Sequence, residues 1–221
     1  MKEASMPNWC EDELTIRGKS GVLACLDAIK GESDTDGPRY IDFEKIVPMP
    51  AILLGRSEPA DEKGRVLLGD DALGHQMLSH EWVKAKGITN LEGLRAYFRE
   101  HFPNAEEDGR LALQAKQETG CWDWWEWRTG GLFNEGHWGT KWNACYFTPL
   151  VNATDTRADI DFCTAWSPPR PVVVELSKLF PTLAFTLKYW EGGGGFRGLL
   201  RTKAGEVRAT ATYMYRGPRG G

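Results

Sequence analysis

The stretch Ala158–Tyr189, ADIDFCTAWSPPRPVVVELSKLFPTLAFTLKY, decides the fold. Ile160, Phe162, Thr164 and Trp166 fall in one phase, and Asp161, Cys163 and Ala165 in the other. That period of two marks a strand with one buried side. Ser167-Pro168-Pro169 breaks the strand and opens a helix with Val172, Leu176, Leu179 and Phe180 along one side. Leu183, Phe185, Leu187 and Tyr189 then alternate again, so the segment reads strand, helix, strand.

Downstream, Gly192–Gly195 makes a hairpin into Phe196–Arg201, and Val207–Tyr215 offers one more strand. Upstream, Asn8–Arg17 reads as a strand with Leu14 and Ile16 in phase. Ser20 is placed to cap a helix whose Val22, Cys25, Leu26 and Ile29 share a face. After a turn-rich loop at Gly31–Pro38, Tyr40–Val47 resembles a short strand ended by Pro48-Met49-Pro50. Ala51–Gly120 differs in period: Leu73, Met77, Leu78, Trp82 and Val83 have helical spacing. Asn90 caps a further helix carrying Leu91, Leu94, Tyr97 and Phe98, which Pro103 ends. Two β-α-β units side by side predict an α+β, ferredoxin-like split β-α-β fold, an antiparallel sheet with two helices on one face. The expected organisation is one domain over residues 1–216, with a helical insertion at about 51–120, a C-terminal β-hairpin and a flexible tail at 217–221.

The 221 residues are 41% hydrophobic and 26% charged, the balance of a soluble globular protein. No apolar run approaches the roughly 20 residues of a membrane span, and MKEASMPNWCEDE lacks the apolar core of a signal peptide. Five widely spaced cysteines without a CxxC pair point to reduced thiols in a cytoplasm. Neither a metal nor a cofactor is expected: His75, His80 and His101 lack ligand spacing, and Asp159 and Asp161 have no third carboxylate nearby. Net charge is −4, unevenly spread: from Arg197 onward the chain carries +5, leaving −9 on the remainder. A basic C-terminal ribbon on an acidic body permits a local phosphate contact and argues against a whole-surface nucleic-acid binder.

Six of the ten tryptophans lie between Trp122 and Trp142, in WDWWEWRTGGLFNEGHWGTKWN. Read as a strand, Trp125 and Trp127 share one face, and Trp122 and Trp124 the other. At least two rings should then reach a second layer, a groove or solvent. Exposed indoles suit stacking on a base, a sugar or a partner's side chains. In Trp138-Gly139-Thr140-Lys141-Trp142-Asn143, Lys141 could hold an anion between rings, or Thr140 and Asn143 could simply satisfy the backbone of a turn.

Several segments resemble the YubB-type ferredoxin-like domain family: MPNWCEDELTI, FEKIVPMP, WGTKWN, FCTAWSPP and YWEGGGGFRG, together spanning Met6 to about Gly198. The resemblance implies the fold and a bacterial plasmid or phage setting, and it implies no chemistry. TGGLFNEGH separates the aromatic segment from WGTKWN, a departure that makes the intervening loop longer than in the family pattern.

Three functional readings follow. The first is a non-enzymatic interaction protein that binds a protein partner, by association a host-defence component, through Trp124, Trp125, Trp127, Trp138, Thr140, Lys141, Trp142, Asn143 and Trp166. The second is a single-stranded nucleic-acid-binding module using stacked aromatics and the basic ribbon. The third is an enzyme using Glu135, His137 and Lys141, which ranks last because no nucleophile motif stands beside them. Gly192–Gly195 is no nucleotide loop, since a strand rather than a helix follows it.

Overall fold

The computed structural model describes residues 8–32, 37–54, 58–131, 136–150 and 152–217. Glu135, residues 218–221 of the expected tail and the first two residues of MPNWCEDELTI lie outside the described residues. The chain divides into two compact units, residues 1–48 with 128–221, and residues 49–127.

The first unit is built on a five-stranded sheet: β1 (Trp9–Arg17), β2 (Arg157–Ala165), β3 (Ala184–Glu191), β4 (Phe196–Lys203) and β5 (Glu206–Met214). Their spatial order is β2-β1-β3-β4-β5, and every neighbouring pair is antiparallel. Helix α9 (Arg170–Leu179) connects β2 to β3, with β1 between them, which makes the split β-α-β unit expected from Ala158–Tyr189. The fold is α+β and ferredoxin-like in class.

Alternation sorts the strands onto two faces. Cys10, Asp12, Leu14 and Ile16 of β1 are buried, as are Ile160 and Phe162 of β2, Phe185, Leu187 and Tyr189 of β3 and Leu200 of β4. Against that inner face lie α1 (Val22–Ile29), α2 (Phe43–Ile46) and α9, contributing Val22, Cys25, Phe43, Val172 and Leu176. The N-terminus of α1 is capped by Asp155 rather than Ser20: its carboxylate accepts from the Gly21 and Leu23 amides at 2.9 and 3.4 Å.

Tyr40–Val47 does not form the short strand expected of it. It forms α2, because the Asp42 side chain accepts from the Glu44 amide at 3.0 Å and caps a helical turn. The sheet therefore holds one β-α-β unit extended by the β4–β5 hairpin, instead of two units side by side.

The second unit is helical, as the periodicity of Ala51–Gly120 predicts. A short 3-10 turn (Ala51–Leu53) leads into α3 (Glu58–Leu67), α4 (Asp71–Leu78), α5 (Glu81–Lys84), α6 (Leu91–His101) and α7 (Ala105–Thr119). Val66, Met77, Val83, Leu94 and Phe98 form its core. Asn90 caps α6 as expected, accepting from the Gly93 amide at 2.8 Å. Helices α3 and α7 touch backbone to backbone at Gly64 and Gly109, and a methyl added at either glycine would land on main-chain atoms of the other helix. Gly109→Ala should therefore wedge the pair apart and destabilise this unit by about 1–3 kcal/mol. A urea midpoint equal to that of the parent would show that the helices can separate without cost.

The aromatic segment enters α8 (Trp124–Thr129), a helix where a strand was expected. Asp123 accepts from the Glu126 amide at 2.7 Å, and Glu126 reaches back to the Trp122 amide at 2.7 Å. This reciprocal Asp-x-x-Glu cap holds the first turn against the β propensity of the indoles. Among the described residues no helix is long and apolar enough to cross a membrane.

Candidate interaction site

WGTKWN is a turn fixed from several sides. The Trp138 and Gly139 amides both donate to the Arg128 carbonyl, at 2.9 and 3.0 Å. Gly139 has φ +77°, and a side chain there would meet Pro171. Ser167 Oγ donates to the Gly139 carbonyl at 2.5 Å, and Thr140 Oγ1 to the Ala165 carbonyl at 2.8 Å.

The indoles have unequal fates. Trp138 is fully buried; its Nε1 donates to the Val47 carbonyl at 2.9 Å, Phe43 meets it edge-on at 5.6 Å, and the Arg128 guanidinium lies 4.2 Å over its ring. Arg128 is paired with Glu44 at 3.5 Å, and burial lowers its pKa. Asn143 accepts from the Phe43 and Ala144 amides, each at 2.9 Å, and donates to Asp42 at 2.7 Å, tying the turn to the start of α2. Trp138, Thr140 and Asn143, all expected in the binding set, are therefore framework. Within the helical unit, Trp127 is buried, while Trp124 and Trp125 are half-buried and meet edge-to-face at 6.1 Å. Trp122 is likewise engaged there, under Arg65 at 3.9 Å and Lys116 at 5.4 Å.

The remaining three expected residues converge. The Lys141 ammonium lies 4.8 Å from the Trp166 ring and 5.7 Å from the Trp142 ring, and both indoles are exposed. Two residues that the sequence reading left out complete the patch. Trp9 packs on Trp142 at 5.8 Å and meets Tyr146 edge-on at 4.8 Å, with Tyr146 55% exposed. Trp166 and Tyr146 hold φ of 69° and 51°, in the left-handed region that bulky residues avoid. Trp166 was expected to continue β2; instead its amide donates to the Asn8 carbonyl at 2.9 Å and its ring turns outward. Trp9 signalled its place, because it lies out of phase with Leu14 and Ile16, whereas nothing around Tyr146 in the sequence announces its backbone.

Charge divides the outer face of the sheet. Three rows cross it: Cys163–Glu11–Trp190–Arg197–Tyr213, Asp161–Glu13–Lys188–Leu199–Ala211, and Asp159–Thr15–Thr186–Arg201–Ala209. The β2–β1 side, next to the patch, is acidic and the β3–β4 side basic. Glu13 and Lys188 pair across the boundary at 3.2 Å. Asp159 is tied to Arg157 and Thr15, and the Arg157 hydrogen bond lowers its pKa.

Other candidate groups serve the structure. Glu191 is buried and accepts from the Gly193 amide at 2.7 Å and from Gly194, so the glycine loop turns its amides onto its own carboxylate. Cys145 and Cys163 are half-buried and pair in a two-residue bridge; burial pushes the Cys163 thiol up to about 11. His75, His80, His101 and His137 are exposed, and no group of three or more metal-ligating side chains gathers among the described residues.

Residues 137–214 match the family model of a ferredoxin-like domain in Api92-like protein. That span holds WGTKWN and β2 to β5 and excludes Trp9. Among solved structures, a protein Api92 from Yersinia pseudotuberculosis is similar at 14% identity and a TM-score of 0.41, covering 96% of this chain and 99% of that one. No curated protein matches the chain. Neither matching description names a catalytic activity.

Proposed function

We propose that the chain is a non-enzymatic interaction protein that docks a protein partner on the patch of Trp9, Lys141, Trp142, Tyr146 and Trp166. The observation that carries this reading is an outward cluster of Trp and Tyr on a backbone locked by Thr140, Ser167 and Gly139. Such side chains dominate interface energetics, and a preset backbone lowers the ordering cost of binding. The acidic residues beside the patch, Glu11, Glu13 and Asp161, repel a polyanion and favour a partner with an apolar anchor and basic flanks. The side chains of Thr140 and Asn143 are already committed to the turn.

The plasmid or phage setting implied by the YubB-type resemblance makes a host-defence component of the bacterial cytoplasm the partner class to test first. A nuclease-treated pull-down compares the parent with Trp142→Ala/Tyr146→Ala/Trp166→Ala. One stoichiometric protein should be retained by the parent, lost with the triple variant, and kept by Trp124→Ala/Trp125→Ala. Retention by a folded triple variant would place the interface elsewhere.

A further inference from the structure

We infer that the outer face of the sheet from β3 to β5 is a binding track for single-stranded nucleic acid, separate from the aromatic patch. The face holds a groove of about 530 Å³ lined by Lys188, Trp190, Arg197, Arg201, Tyr213 and Tyr215, with Glu13, paired to Lys188, at its β1 edge. It continues past Arg197, Tyr213 and Tyr215 into a second hollow that reaches Arg216.

Three features specify the occupant. First, the row Trp190–Arg197–Tyr213 alternates ring, guanidinium, ring across adjacent strands. With strands about 4.8 Å apart, the two rings stand roughly 10 Å from each other, with a cation between. Second, the rings are available. Tyr213 is 61% exposed, Trp190 half-buried, and neither stacks on another ring or donates a side-chain hydrogen bond among the described residues. The other indoles of the sheet unit have partners: Trp138 donates to Val47, Trp9 packs on Trp142, and Lys141 covers Trp166. Third, the two groove arginines of β4 are uncompensated. β4 carries Arg197, Arg201 and Lys203 and no acid, and Arg197 and Arg201 have no ion-pair partner among the described residues. In a chain of net charge −4, this local excess is the electrostatic mark of a phosphate track.

An acidic peptide would match the cations but leave both rings without stacking partners. Duplex ends offer bases only at their termini, whereas a single strand presents a π-face at every nucleotide. Tyr189 and Leu187 hold this face from beneath as part of the core, so the track sits on a rigid floor.

The test is fluorescence anisotropy with a labelled twelve-nucleotide oligothymidine on the whole chain, titrated at several salt concentrations. Binding should weaken with salt at a log–log slope of about −2, from three cations at roughly 0.7 each. Tyr213→Ala and Trp190→Ala should each weaken it on the order of 10- to 100-fold, the scale of one stacked base. Arg197→Glu/Arg201→Glu should abolish it, and Trp142→Ala/Trp166→Ala should leave it unchanged, which separates this track from the protein-docking patch. Tyr213 is exposed enough to be replaced without disturbing the core, so its result stands even if Trp190→Ala folds poorly. Three results would overturn the inference: no binding by the folded parent at low salt, indifference to Tyr213→Ala, or a poly-glutamate peptide bound as tightly as the oligonucleotide.

Discussion

Replacing Trp138 with alanine should cost the sheet unit about 3–5 kcal/mol, whereas Trp142→Ala should cost less than about 1 kcal/mol. The two indoles are four residues apart in one turn, yet they do opposite work. Removing Trp138 leaves a cavity against Phe43, an unpaired Val47 carbonyl, and an Arg128 guanidinium without its ring. The lost hydrogen bond adds to the cavity term, because a buried acceptor without a donor is costly. Trp138→Phe isolates that part: it keeps most of the volume, loses the indole donor, and should cost about 1–2 kcal/mol. Urea denaturation followed by fluorescence measures all three, provided the slope with denaturant stays constant. Equal midpoints for Trp138→Ala and Trp142→Ala would mean that the turn is not built on Trp138.

Asp12→Asn should stabilise the protein at neutral pH. Asp12 is buried on β1, and Thr164 Oγ1 lies 2.6 Å from its carboxylate and 2.9 Å from the Ser167 carbonyl. The threonine hydroxyl has one proton, so it cannot serve both acceptors. A protonated Asp12 resolves the conflict by donating to Thr164, which then donates to Ser167. Burial raises the Asp12 pKa well above the usual carboxylate range, and the Thr164 hydrogen bond lowers it only in part. The sign follows from proton counts. Between the unfolded pKa near 3.8 and the raised folded value, the folded state binds the extra proton, so stability falls as pH rises. Below that window both states are protonated and the loss vanishes. Asparagine supplies the donor permanently. Its melting temperature should match the parent's near pH 3 and exceed it by a margin that widens as pH rises through the window towards pH 7. A parent that gains stability from pH 4 to pH 7 at this site, relative to Asp12→Asn, would refute a neutral Asp12.

The elements that were legible in the sequence are those whose local signals agree with their burial. Ala158–Tyr189 alternates, breaks at proline and alternates again, and β2, α9 and β3 follow within a few residues. The two misread elements carried cap signals that outweighed their β-rich composition: Asp42 ahead of Phe-Glu-Lys-Ile, and Asp123 with Glu126 around two tryptophans. The site was half legible. A tryptophan-rich stretch marks a region, but exposure depends on what the tertiary fold lays over each ring, and Val47, Phe43 and Arg128 come from distant segments to cover Trp138. Tyr146 needed knowledge of a left-handed backbone, and the outer groove needed the register that sets Trp190, Arg197 and Tyr213 in one row.

The position of β1 bears on how the chain is made. It is the second strand of the sheet, yet both its neighbours come from beyond residue 156. At about 5–20 residues per second of synthesis, roughly 7–28 s pass between the emergence of Arg17 and that of Arg157. Throughout that interval the Leu14 and Ile16 side of the strand has no sheet to join, while the core of residues 49–127 closes entirely within its own segment. The core of residues 49–127 is thus complete in the nascent chain before β1 has either of its sheet neighbours.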